Sequence, residues 1–163
     1  MSTKPIRRLT DVLAQYEGYW FLRMRTDDVR TFSLFTFSYN KRLKSYCFSG
    51  RDYSHECSFV NRCVFDNVQE ASSGVFYTGM VYKEGQPIEN VGRFFLVSPG
   101  NIDGFFFNVK ANETTFGSFD GILLTSEDIF AMIGTKTVEG ANYDKLAFSY
   151  YEKINALSIL VEK

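Results

Sequence analysis

From Tyr19 to about Leu124 the chain repeats one motif, apolar residues alternating with others at a period of two, and that period fits extended strands rather than helices. Trp20, Leu22 and Met24 fall on one side of the first segment, with Tyr19, Phe21, Arg23 and Arg25 on the other. Asp27-Asp28 supplies a turn, after which Phe35, Phe37 and Tyr39 alternate against Phe32, Leu34 and Thr36. Further segments follow at 42–50, 57–68, 75–82, 91–97, 104–109 and 116–124. Between them lie Asn40-Lys41, Arg51-Asp52-Tyr53-Ser54, Ala71-Ser72-Ser73-Gly74, Lys83-Glu84-Gly85-Gln86-Pro87 and Ser98-Pro99-Gly100-Asn101, all turn-forming. About eight strands joined by short local turns predict an antiparallel up-and-down β-barrel, at the strand number whose interior holds side chains or one small ligand.

The composition supports a mainly β fold. Seventeen Phe and ten Tyr against one Trp suit the half-buried surface of a sheet, and 45% hydrophobic residues in 163 can fill one core. The expected organisation is a single domain over 1–163, with a short helix at 10–17, the barrel at 18–125 and a helical region at 126–163. Thr10 is placed to cap the first helix and Gly18 to end it; Ser126 is placed to cap a second, and Thr135 to Val138 reads as one further short strand. Asn142 opens the longest helical pattern, with Leu146, Ala147, Tyr150, Ile154, Leu157 and Val161 three or four residues apart. That face either covers the outside of the barrel or pairs with a second copy of the chain as a homodimer. Phe105-Phe106-Phe107 is apolar on both strand faces, and the last helix lying outside it is one explanation.

Eighteen basic residues balance 19 acidic ones, so no overall field draws the chain to long nucleic acids or anionic membranes; any anion site is local. The start of the chain reads as no signal peptide and no run of about 18 apolar residues occurs, which predicts a soluble, cytoplasmic protein. Cys47, Cys57 and Cys63 fall in strand-like segments and read as buried free thiols.

Little points to catalysis. His55 is the only histidine and reads as a loop residue, no phosphate-loop motif occurs, and Asp52, Glu56, Asp66, Asp103, Glu113 and Asp120 read mostly as turn carboxylates. No metal or cofactor is expected. Ligand binding has more material: Arg23, Arg25, Arg51 and Arg93 for phosphate, and Tyr19, Tyr46 and Tyr53 for stacking a base. Register decides their use, because if Trp20 points in, Arg23 and Arg25 point out.

Gly18-Tyr19-Trp20 after a short helix resembles the Gly-x-Trp opening of lipocalins and related calycin barrels, in which the Trp packs across the closed end. Ser45-Tyr46-Cys47-Phe48-Ser49-Gly50 with Asp52-Tyr53-Ser54, then Val91-Gly92-Arg93-Phe94-Phe95 and Asp103-Gly104-Phe105-Phe106, is similar in spacing to the β-rich domains of two-transmembrane bacterial immune effectors. Those domains are barrels that bind cyclic oligonucleotides, and the likeness covers about residues 16 to 125. This chain differs in lacking membrane helices ahead of the barrel and in having Phe59 or Val60 where a fourth-strand Trp is expected. The resemblance implies a non-enzymatic barrel that binds or sequesters an anionic, cyclic nucleotide in bacterial or phage immune signalling. The alternatives are a carrier of an apolar ligand and a helix-mediated interaction module.

Overall fold

The computed structural model describes residues 12–27, 30–72, 74–83, 86–110 and 113–162. Eight strands follow one another as β1 (Gly18–Arg25), β2 (Arg30–Asn40), β3 (Ser45–Tyr53), β4 (Phe59–Ala71), β5 (Gly74–Lys83), β6 (Gln86–Ser98), β7 (Asn101–Lys110) and β8 (Glu113–Leu123). Each pairs antiparallel with the next, and β1 pairs with β8 from Trp20↔Leu123 to Arg25↔Ser118, closing the barrel with no free edge. Two helices follow, α1 (Ser126–Ile133) and α2 (Ala141–Glu162). This is the barrel architecture implied by the lipocalin resemblance. Among the described residues no helix is long and apolar enough to cross a membrane.

Several boundaries differ from the alternation, each through local turn chemistry. The third strand starts at Ser45 rather than 42, because Asn40 Oδ1 accepts the amides of Arg42 and Leu43 at 3.0 Å each and Lys44 takes a φ of 53°. Cys57 has a φ of 60° and lies in the turn before β4, so it is not a strand residue. The sixth strand starts at Gln86, inside the expected loop, and 135–138 form no strand. Thr125, not Ser126, caps α1, accepting the Asp128 amide at 3.1 Å, and Gly134 ends the helix at a φ of 75°. At the other end of the chain, Ala14–Tyr16 form a single 3-10 turn, while the expected Thr10 cap lies outside the described residues.

The inner face carries Trp20, Leu22, Phe35, Phe37, Tyr46, Phe48, Phe65, Tyr77, Phe94 and Phe119 in one core. One end is closed. Leu13 and Tyr16 fold across it, and the Trp20 indole donates to the Tyr16 carbonyl at 2.8 Å, so the plug is hydrogen-bonded as well as packed. Glycines at mid-strand let rings lie across the barrel's waist: a Cβ on Gly92 would meet the Tyr77 hydroxyl at 2.2 Å, and one on Gly117 the Phe106 ring at 2.2 Å.

A second core lies outside the wall. α2 crosses β1–β3, setting Tyr150 4.8 Å from Phe21, Tyr151 stacked 4.0 Å from Phe32, and Phe148 5.0 Å from Tyr53. Leu146 and Ala147 are fully buried there and Ile154 packs alongside, so this part of the helix's apolar face covers the outside of the barrel. The helix does not cover β7. Phe105 and Phe107 are 38% and 39% exposed, and it is β2 that is buried on both faces, inside by Phe35 and outside by Phe32 and Leu34.

Candidate functional site

From its waist to the end opposite Trp20 the barrel holds a cavity of about 290 Å³. It opens between the hairpin ends where β1, β3, β5 and β7 finish. Each strand lines it by continuing its inward period: on β3 the inward series Tyr46, Phe48, Gly50 reaches Asp52, on β6 Phe94 and Gly92 reach Asn90, and on β7 Ile102, Gly104 and Phe106 reach Asn108. Met24, Phe65, Val81, Ile88 and Phe106 form apolar walls, and Arg25, Lys83 and Lys110 stand at the rim.

Asp52 is the centre of the polar floor. It is 6% exposed and accepts from Ser33 Oγ at 2.6 Å, Asn61 Nδ2 at 3.1 Å and Cys63 Sγ at 3.4 Å. Alternation along β3 turns Asp52 in, opposite Asn61, and Tyr53 out; beyond this pair the register shifts, Tyr53 pairing with Phe59 and skipping Val60 on β4. Burial pushes the carboxyl above its usual range, against the opposing pull of its three donors. Burial and the neighbouring Asp52 push the Cys63 thiol well up, and burial does the same to Tyr77. Across the cavity Asn90, 2% exposed, donates from Nδ2 to Asn108 Oδ1 at 2.7 Å. The carbonyl oxygens Asn61 Oδ1 and Asn90 Oδ1 are buried with no partner among the described residues.

The arginines and tyrosines singled out from the sequence fall elsewhere, and in several places. With Trp20 inside, Arg23 and Arg25 point out and share Asp120, at 2.9 and 3.2 Å. Tyr19 lies outside against Tyr143, with ring centroids 6.4 Å apart. Arg51 pairs with Asp144 at 3.3 Å and sits 4.1 Å over the Phe59 ring, while Tyr53 beside it donates to Asp144 at 2.5 Å beneath α2. Tyr46 faces in, but at the closed end, stacked on Phe37 and bonded to Glu17 at 2.7 Å. Arg93 is on the outer face of β6, opposite Phe76 and Phe105. Of these seven, only Arg25 touches the inner cavity.

Arg23 and Arg25 do come together with Arg30 in a second hollow of about 280 Å³, between the β1–β2 hairpin and α2. Its floor is the Phe32–Tyr151 stack, and His55 bonds the Tyr151 hydroxyl through Nδ1 at 2.7 Å.

Asp52 is the main correction to the sequence reading, since it is a strand residue inside the barrel and not a carboxylate closing its own turn. Asn61, Asn90 and Asn108 had not been singled out. The signal for Asp52, Asn90 and Asn108 was present: each lies two residues beyond an inward Gly or Phe, on the same face. Among the described residues no three His, Cys, Asp or Glu side chains could together hold a metal ion. Compared with known proteins, the chain matches no family model and no curated sequence.

Proposed function

We propose that this chain is a non-enzymatic barrel that takes one small anionic ligand of the nucleotide class, a cyclic one included, into its open half, and so binds or sequesters it in immune signalling. The supporting observation is the cavity itself: apolar walls to take a ring, polar groups at depth and Arg25, Lys83 and Lys110 at the rim to meet phosphate. A purely apolar ligand would leave Asp52, Asn61 and Asn90 facing hydrocarbon, which is costly for each. Binding without chemistry fits the cavity's thiol. Cys63 stands beside Asp52, and burial with that neighbour pushes its pKa well up, the opposite of an activated cysteine.

A second reading places the phosphate in the outer hollow. The β1–β2 register sets Arg25 directly opposite Arg30 with Arg23 adjacent; Asp120 pairs with Arg23 and Arg25, so one carboxylate serves two of three clustered guanidinium groups, and a phosphate in the hollow would add balancing charge. Both readings meet the same experiment. A nucleotide at about 100 times its dissociation constant adds roughly 2.7 kcal/mol, a rise in melting temperature of about 5–10 °C for a chain this size. Screening cyclic di- and trinucleotides and mononucleotides by thermal shift is expected to give such a rise. Substituting Lys83 and Lys110 by Ala removes it if the ligand sits inside, and substituting Arg23 and Arg30 by Ala removes it if outside. No shift with any nucleotide ends both readings.

A further inference from the structure

The deep part of the inner cavity holds two carbonyl oxygens that no donor meets. Ser33 Oγ, Asn61 Nδ2 and Cys63 Sγ donate to Asp52, and Asn90 Nδ2 donates to Asn108, while the oxygens of the Asn61 and Asn90 amides have no partner among the described residues. Asn61 Oδ1 is unpaired in the orientation in which its Nδ2 donates to Asp52, and Asn90 Oδ1, on an almost wholly buried side chain, is unpaired as well. The Asp52 oxygens add further lone pairs once the carboxyl is ionised. Buried acceptors without donors cost stability, and a packed barrel has no structural need of them, since the closed end fills the equivalent inward positions with Phe and Tyr.

We infer that the end of the ligand that enters the barrel is a nitrogen donor group, an amine, an amidine or the amino edge of a heterocycle, received by Asp52, Asn61 and Asn90. The inference rests on the inner cavity being the binding site, but not on the ligand being a nucleotide. The ligand is thereby oriented. Its N–H groups point to the floor, its ring lies between Phe65, Val81 and Phe106, and an anionic group, where it has one, stays at the rim with Lys83 and Lys110. Among nucleotides, bases with an exocyclic amino group are selected over those with a carbonyl oxygen at that position, because a second acceptor facing Asn90 Oδ1 leaves both unpaired.

Two matched pairs of probes test this by calorimetry and by nitrogen-15 NMR of the Asn side-chain amides. Cytidine and uridine 5′-monophosphates differ at position 4, an amino donor against a carbonyl acceptor, with N3 changing from acceptor to donor in turn; benzamidine and benzoate present donors or acceptors on the same ring. Cytidine monophosphate and benzamidine are expected to bind at least tenfold more tightly than their partners and to shift the amide signals of Asn61 and Asn90. Asn90→Leu, or Asn61→Leu should the first fail to fold, is expected to weaken benzamidine binding at least tenfold. If neither nucleotide binds but benzamidine does so through Asn90, the nucleotide reading falls and the donor inference stands. Equal or tighter binding of uridine monophosphate or benzoate, or no benzamidine binding at 10-millimolar order, overturns the inference.

Discussion

The two ends of this barrel are lined by the same eight strands and the same inward period, yet one is a packed core and the other an open cavity. At the closed end Trp20, Phe37, Tyr46, Phe48 and Phe94 interdigitate, with Phe48 and Phe94 centroids 5.0 Å apart, and their polar atoms are paired: the indole to Tyr16, the Tyr46 hydroxyl to Glu17. Beyond the waist the same faces turn to Asp52, Asn61, Asn90 and Asn108 around open space. The difference separates a part of the interior that stabilises the fold from a part that costs it stability. Packing an aromatic core is strongly favourable, whereas polar residues that interrupt it and leave acceptors unpaired are unfavourable, which is the ground for proposing that they meet a ligand.

The closed end is where the comparison is broken most forcefully. Trp20 is 1% exposed and also donates a buried hydrogen bond, so Trp20→Ala is expected to cost about 3–5 kcal/mol, measured by urea unfolding. A loss under about 1 kcal/mol would mean that the plug does not close the barrel.

At the open end the corresponding probe is pH. The fold holds the Asp52 carboxyl above its unfolded value, so it favours the protonated form. The stability contributed by neutral Asp52 is therefore complete below the unfolded value near 4 and is lost as pH rises through the raised folded value, at about 1.4 kcal/mol for each unit of separation. Cys63 and Tyr77, which face Asp52, are themselves pushed up and stay protonated through this range. Chemical unfolding across pH 4 to 8 is expected to show wild type losing stability relative to Asp52→Asn as pH rises. A difference independent of pH would show that the folded state does not favour the protonated carboxyl.

The division between the two ends also marks what could be read from the sequence. Strand number and meander order follow from alternation and turn residues, and alternation puts Trp20 on the face opposite Arg23 and Arg25; which of the two faces is the interior does not follow from it, because β1 and β2 carry aromatic residues on both. α2 was legible as an amphipathic helix, but its resting place was not, since β2 and β7 both carry aromatic residues on the outer face and only three-dimensional packing chooses between them. The inner site was missed for a chemical reason. Arginine beside aromatic residues is a conspicuous pattern, and here it marks the outer wall, whereas Asp52 and Asn90 are residue types normally assigned to turns. That they stay on the inward face shows only when the period is followed to the last residue of each strand.

Asn90→Leu gives the smallest stability effect and the finest contrast with Trp20→Ala. Both side chains are almost wholly buried and both make one hydrogen bond, at 2.7 and 2.8 Å. Burial alone would predict that removing either polar group harms the fold. Asn90, however, also carries a buried acceptor with no partner, and Leu of similar size removes that cost while adding apolar contact with the cavity wall. The bond lost to Asn108 is partly recovered, because Asn108 is half-buried and can turn to solvent. Urea unfolding is therefore expected to place Asn90→Leu within about 1 kcal/mol of wild type, on the stabilising side. A loss of the size expected for Trp20→Ala would make Asn90 a structural residue and the open end a second core.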